Sequence, residues 1–175
     1  MKREWIREVF YLILCAGIGV LLALFINRVL LQKVVVDGSS MVDTLHDGDV
    51  LLANRCIYYF QDPKRFDVVI FPQNETEHYV KRVIGLPGET IQIKDGCVYI
   101  NGKKLDDPYA KVPMTYAGIA EEPLVLGDDE YFVLGDNRNE SQDSRFEIVG
   151  PIERSRIEAK VWLRITPFSD FGVIH

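Results

Sequence analysis

The 18 residues from Val9 to Ile26 carry no charge, and no other apolar run in the chain is as long. As a helix, such a run spans about 27 Å, close to the hydrocarbon core of a bilayer. Lys2, Arg3 and Arg7 precede it, and Asn27, Arg28 and Lys33 follow. The run reads as an uncleaved single-pass anchor over residues 9–31. Residues 1–8 would lie on the cytoplasmic side and residues 32–175 on the other. A cleavable export signal is one alternative. Its apolar part would be roughly 7–15 residues long and would end in small residues. Asn27-Arg28-Val29-Leu30-Leu31 offers no such site. A buried core helix is the other alternative.

From Val34 onward the pattern is that of short strands. Val34-Val35-Val36, Val50 to Ala53, Phe66 to Phe71, His78 to Leu86 and Glu130 to Leu134 are strand-like runs bounded by Gly, Pro or Asp. Thr90 to Ile93 and Cys97 to Ile100 flank Lys94-Asp95-Gly96, which predicts a hairpin with an Asp-Gly turn. Asn101-Gly102 predicts another turn. Asp106 to Gly127, with three prolines, reads as an irregular excursion. Ile152 to Glu158 reads as a short helix, and Ala159 to Ile165 as a last strand. The expected fold is one mainly β domain, an antiparallel sheet or barrel-like body, carried on one N-terminal transmembrane helix.

A net charge of −6 argues against nucleic acid as a partner. Three cysteines, Cys15, Cys56 and Cys97, have no metal-ligand spacing, so no metal or other cofactor is expected. A Cys56–Cys97 disulfide is left open.

Two residues carry candidate chemistry. Ser40 lies in Gly38-Ser39-Ser40-Met41-Val42-Asp43-Thr44-Leu45, and a serine hydroxyl needs a base to become a nucleophile. The three histidines, His46, His78 and His175, stand in no recognisable triad context. Lys81 lies inside an apolar strand and shares a face with Tyr79 and Val83. Bringing a lysine from about 10.4 to about 7.5 takes roughly 4 kcal/mol, which burial can supply. On these residues alone, a lysine with a packed stem and a solvated ammonium is the favoured reading.

Three segments together resemble the motif set of the type I signal peptidases, serine proteases with a Ser-Lys pair. The serine loop is similar from Gly38 to Leu45, with Asp43 where proline is usual. Lys81-Arg82-Val83-Ile84-Gly85-Leu86-Pro87-Gly88-Glu89 resembles the lysine motif throughout. Gly135-Asp136-Asn137-Arg138, followed by Ser141, Asp143, Ser144 and Arg145, resembles the third motif. It departs after Phe146, where Glu147-Ile148-Val149 precede Gly150.

The resemblance implies roles. Ser40 is the nucleophile and Lys81, neutral, the base. Ser141 would hydrogen-bond the lysine amine. The Ser40 N–H would serve the oxyanion, since Gly38 has no hydroxyl to add. Arg82, Asp136, Asp143 and Arg145 would brace the site as a charge network, their bland alternative being surface ion pairs. Asp43 is expected to point to water, and Met41 and Val42 to form an exposed apolar patch facing the membrane. The substrates implied are secretory preproteins with small residues at positions −3 and −1. Two rival functions remain: a self-cleaving repressor with the same Ser-Lys chemistry, and a non-enzymatic tethered β module.

Overall fold

The structure, a computed structural model, describes residues 2–25, 30–74 and 77–175. It opens with helix α1, Lys2–Phe25. Trp5, Phe10, Leu12, Ile13, Leu21 and Leu22 are exposed on it, so no part of the β body covers this helix. Among the described residues, no helix is long and apolar enough to cross a membrane. The helix takes in residues 2–8 as well as the apolar run, and Leu31 stands in a strand. Residues 26–29 of the expected anchor over 9–31 lie outside the described residues.

Among the described residues, twelve strands follow in two antiparallel sheets. The larger holds β1 (Leu31–Val35), β2 (Val50–Asn54), β3 (Val68–Pro72), β4 (His78–Gly85), β9 (Glu130–Leu134), β10 (Ile152–Glu153), β11 (Ala159–Thr166) and β12 (Gly172–Val173). Its order is β1-β2-β11-β3-β4-β9-β10, with β12 paired to β11. The smaller holds β5 (Thr90–Lys94), β6 (Cys97–Ile100), β7 (Lys103–Lys104) and β8 (Leu124–Val125), in the order β7-β6-β5-β8. Among the described residues no pairing joins β1 to β10, so the larger sheet is open rather than closed into a barrel, and one edge of β1 has no strand partner.

Local chemistry explains the hairpins. Asp95 and Gly96 connect β5 to β6 at φ 51° and 71°, and Asn101 and Gly102 turn β6 into β7 at 50° and 77°. Paired left-handed residues match the twist of the strands they join. Two expectations are corrected. Ile152–Glu153 is a strand against β9, and only Arg154–Arg156 turns helically, as one short 3₁₀ turn. Leu124 and Val125 within the excursion add β8 to β5, a pairing that no local periodicity signals over two residues. Cys56 and Cys97 form no disulfide; one follows β2 and the other opens β6 in the other sheet.

Two apolar clusters position the chemistry. Met41 and Leu45 pack with Leu51, Ile70 and Val161, seating the serine loop on the large sheet. Ile84, Phe132 and Leu134 of the large sheet meet Ile91, Ile93 and Val98 of the small one. Ile91 is fully buried in this junction. Ile91→Ala is expected to destabilise the protein by about 2–5 kcal/mol, read as a lower midpoint in urea unfolding.

Candidate active site

The loop from Val36 to Asp49 is closed at its base by backbone bonds. Val36 N–H donates to Asp49 O at 2.9 Å, and Gly48 N–H to Val36 O at 2.9 Å. Gly38 sits at φ 95°, a conformation that suits glycine, and its N–H donates to Asp47 Oδ1 at 2.9 Å. Thr44 and Leu45 both donate backbone N–H groups to Met41 O at 2.8 Å. Met41 is buried, not exposed as expected, because its thioether is what plugs the loop into the core. The turn leaves Ser40 half-buried at the surface of the sheet.

Lys81, in the middle of β4, reaches that serine. Its Nζ lies 2.6 Å from Ser40 Oγ. The residue is 2% exposed, and the ammonium stands 5.0 Å from the centre of the Tyr79 ring. Burial pushes the Lys81 ammonium down to about 8. The carboxylates of Asp143 and Asp136 oppose this, and Arg145 adds to it. Burial wins because each carboxylate already holds a guanidinium. Among the described residues, no histidine bonds to Ser40. His78 pairs with Glu158 at 3.3 Å, and His46 and His175 are exposed.

A groove of about 260 Å³ opens beside the pair, walled by Val34, Val36, Met41, Tyr79, Val80 and Lys81 among others. Its two long sides are strands. Among the described residues, β1 pairs only with β2. β4 pairs with β3 along His78–Arg82 but with β9 only from Arg82 onward. Among the described residues, the side of the first half of β4 away from β3 and the outer side of β1 therefore border the groove without strand partners.

Residues 3–166 match the family described as Signal peptidase, peptidase S26. The chain belongs to this family. It is similar to Signal peptidase I of Bacillus licheniformis, at 38% identity over an alignment covering 95% of this chain and 90% of that protein. It is similar to Signal peptidase I T of Bacillus subtilis (strain 168), at 42% identity with 87% and 83% covered. A crystal structure of a signal peptidase I from Enterococcus faecalis V583 is 33% identical. That match covers 57% of this chain and 97% of that one at a TM-score of 0.49. The chain is thus an enzyme, a hydrolase of the signal peptidase I kind, and the family removes signal peptides.

The remaining candidate residues of this signal peptidase fall into two buried ion pairs. Arg82 donates to both oxygens of Asp136, at 2.8 and 2.7 Å. Arg145 does the same to Asp143, at 2.8 and 2.9 Å. All four are buried, so they are interior braces rather than surface pairs. Asp136 also accepts from Thr44 Oγ1 at 2.5 Å, and Asp143 from Gly135 N–H at 3.1 Å. Ser141 departs from expectation. Its hydroxyl is buried with no hydrogen-bond partner among the described residues, and lies where a Cβ on Gly135 would fall. It packs against that glycine instead of bonding the lysine amine. Asp43 is exposed and pairs with Lys111 at 2.9 Å.

Asn137 was quoted in the third motif without a role. Its backbone N–H donates to Ser40 O at 3.1 Å and its side-chain amide to Ser39 O at 3.1 Å. Only its adjacency to Gly135-Asp136 in sequence hints at this. Gly135 permits the approach, since a Cβ there would also run into the Ser40 carbonyl. Asp136→Ala leaves Arg82 charged, buried and unpaired. The expected loss of stability is about 3–5 kcal/mol, measured by chemical unfolding, with less for Asp136→Asn.

Proposed function

We propose that the chain cleaves signal peptides from exported preproteins with Ser40 as nucleophile and Lys81 as its general base. The observation that carries this is the 2.6 Å contact of a buried lysine, displaced to about 8, with a serine hydroxyl. The neutral amine takes the Ser40 proton as Oγ attacks the scissile carbonyl. The Ser40 N–H donates a hydrogen bond to the developing oxyanion. When the C–N bond breaks, the Lys81 ammonium gives its proton to the departing amine, leaving an ester on Ser40. Neutral again, Lys81 takes a proton from water; the hydroxide attacks the ester, and Ser40 recovers its proton.

The substrate would lie extended in the groove, adding its backbone to the open edges of β1 and β4. A groove whose walls include Val34, Val35, Val36, Val80 and Met41 suits the small residues expected at −3 and −1. The exposed apolar side chains of α1 support an anchor in lipid, with residues 1–8 cytoplasmic and the β body on the other side. Arg82, Asp136, Asp143 and Arg145 hold the loop and strand in register. No cofactor enters this chemistry.

The test is cleavage of a secretory preprotein by the purified full-length protein. Ser40→Ala is expected to be inactive and folded; an active Ser40→Ala variant would falsify the proposal.

Because the base must be neutral, kcat/KM should rise with pH through a single ionisation near 8 and then level off. Lys81→Arg should stay inactive at every pH, since guanidinium remains protonated. Lys81→Met should be inactive yet folded. Wild type carries a buried charge below about 8, and this cost disappears as both states lose the proton toward about 10.4. Relative to wild type, Lys81→Met should thus be more stable at neutral pH, and that margin should shrink between those limits. A margin independent of pH in denaturation curves would contradict the displaced lysine.

A further inference from the structure

A second cleft, of about 380 Å³, lies along the serine loop, lined by Val42, Asp43, Thr44, Tyr109, Lys111 and Asn137 among others. The catalytic groove takes in the loop from Gly38 to Met41, and the cleft continues from Val42 to Thr44. The two hollows are consecutive along one stretch of backbone. Asn137 stands at the join, since it holds the carbonyls of Ser39 and Ser40 and lines the cleft.

Both hollows mix apolar and polar walls. The groove brings Val34, Val35, Val36 and Val80 together with Asp37, His78, Lys81 and Glu140. The cleft carries the Asp43–Lys111 ion pair, 2.9 Å long, with side chains 58% and 67% exposed. So exposed a pair contributes little to stability, and the loop is already seated by Met41 and Leu45. Either side chain can turn toward a passing charge at small cost. Asp43 follows Ser40 by three residues, so their Cα atoms are at most about 11 Å apart. An extended peptide covers that distance in about three residues.

We propose that this cleft holds the first residues of the mature chain, those just after the cleaved bond, and that Asp43 and Lys111 read their charge. The proposal rests on the Ser40–Lys81 reading above. The apolar, small-residue end of a signal peptide fits the valine-walled groove. The mature chain, polar and bound for water, fits the charged cleft. Two opposite charges side by side make the cleft tolerant of either sign, and removing one leaves the other unopposed.

The test uses the full-length protein in detergent and two preprotein substrates that differ only in carrying Lys or Glu at the second and third positions after the bond. The readout is the ratio of their kcat/KM values. Lys111→Ala is expected to move the ratio toward the Lys substrate by about threefold, and Asp43→Asn toward the Glu substrate by about as much. Both shifts should shrink in about 0.5 M salt. The double variant should return toward the wild-type ratio. Unchanged ratios with cleavage intact would overturn the proposal. So would shifts of the same sign in the two single variants, or a change confined to the residues before the bond. If wild type cleaves neither substrate, the Ser40–Lys81 reading itself has failed, and this inference falls with it.

Discussion

The pairing of Arg82 with Asp136 is the interaction on which the rest of the site depends. Arg82 follows Lys81 in β4, so its side chain leaves the strand on the opposite face. There it meets both oxygens of Asp136, the carbonyls of Phe66 and His175 at 2.7 Å each, and the Tyr109 ring, 3.3 Å from its centre. Asp136 in turn takes the Thr44 hydroxyl. One buried guanidinium thus ties the lysine strand, the serine loop and the Gly135–Arg138 turn together. A buried pair of this kind is weak evidence for stability, but removing one partner strands the other. What it supplies here is register: Ser40 and Lys81 meet at 2.6 Å because the elements carrying them are fixed to the same pair of charges.

Lys81 lies among strong charges and is still pushed down. Two carboxylates near an ammonium would ordinarily favour the charged form. Here Asp136 and Asp143 are each clamped by an arginine through two bonds, so each presents a nearly neutral group to the lysine. Dehydration of the amine then outweighs their residual attraction. The arginines therefore hold the loops and also weaken the attraction that would keep Lys81 protonated.

The open edges follow from the same topology. An unpaired strand edge is a hazard for association with other chains. β1 carries Lys33 at its exposed side, and the first half of β4 lies in a recess beside the serine loop, which restricts what can dock there.

By itself the sequence determined the β-rich body, most strand positions and the two left-handed turns, and it singled out Ser40 and Lys81 as a candidate pair. Each of these is a local matter: period-two alternation, Asp-Gly and Asn-Gly pairs, and motifs readable residue by residue. Only the tertiary structure decided that Arg82, Asp136, Asp143 and Arg145 are buried, because a run of charges in a turn-rich loop looks the same on a surface. It also decided that Ser141 packs on Gly135, that Met41 faces inward, and that Asn137 holds the Ser40 carbonyl. Those outcomes depend on which backbone passes within a few ångströms of a side chain. Contacts between residues about a hundred positions apart, such as Asn137 with Ser39, leave no trace in local pattern.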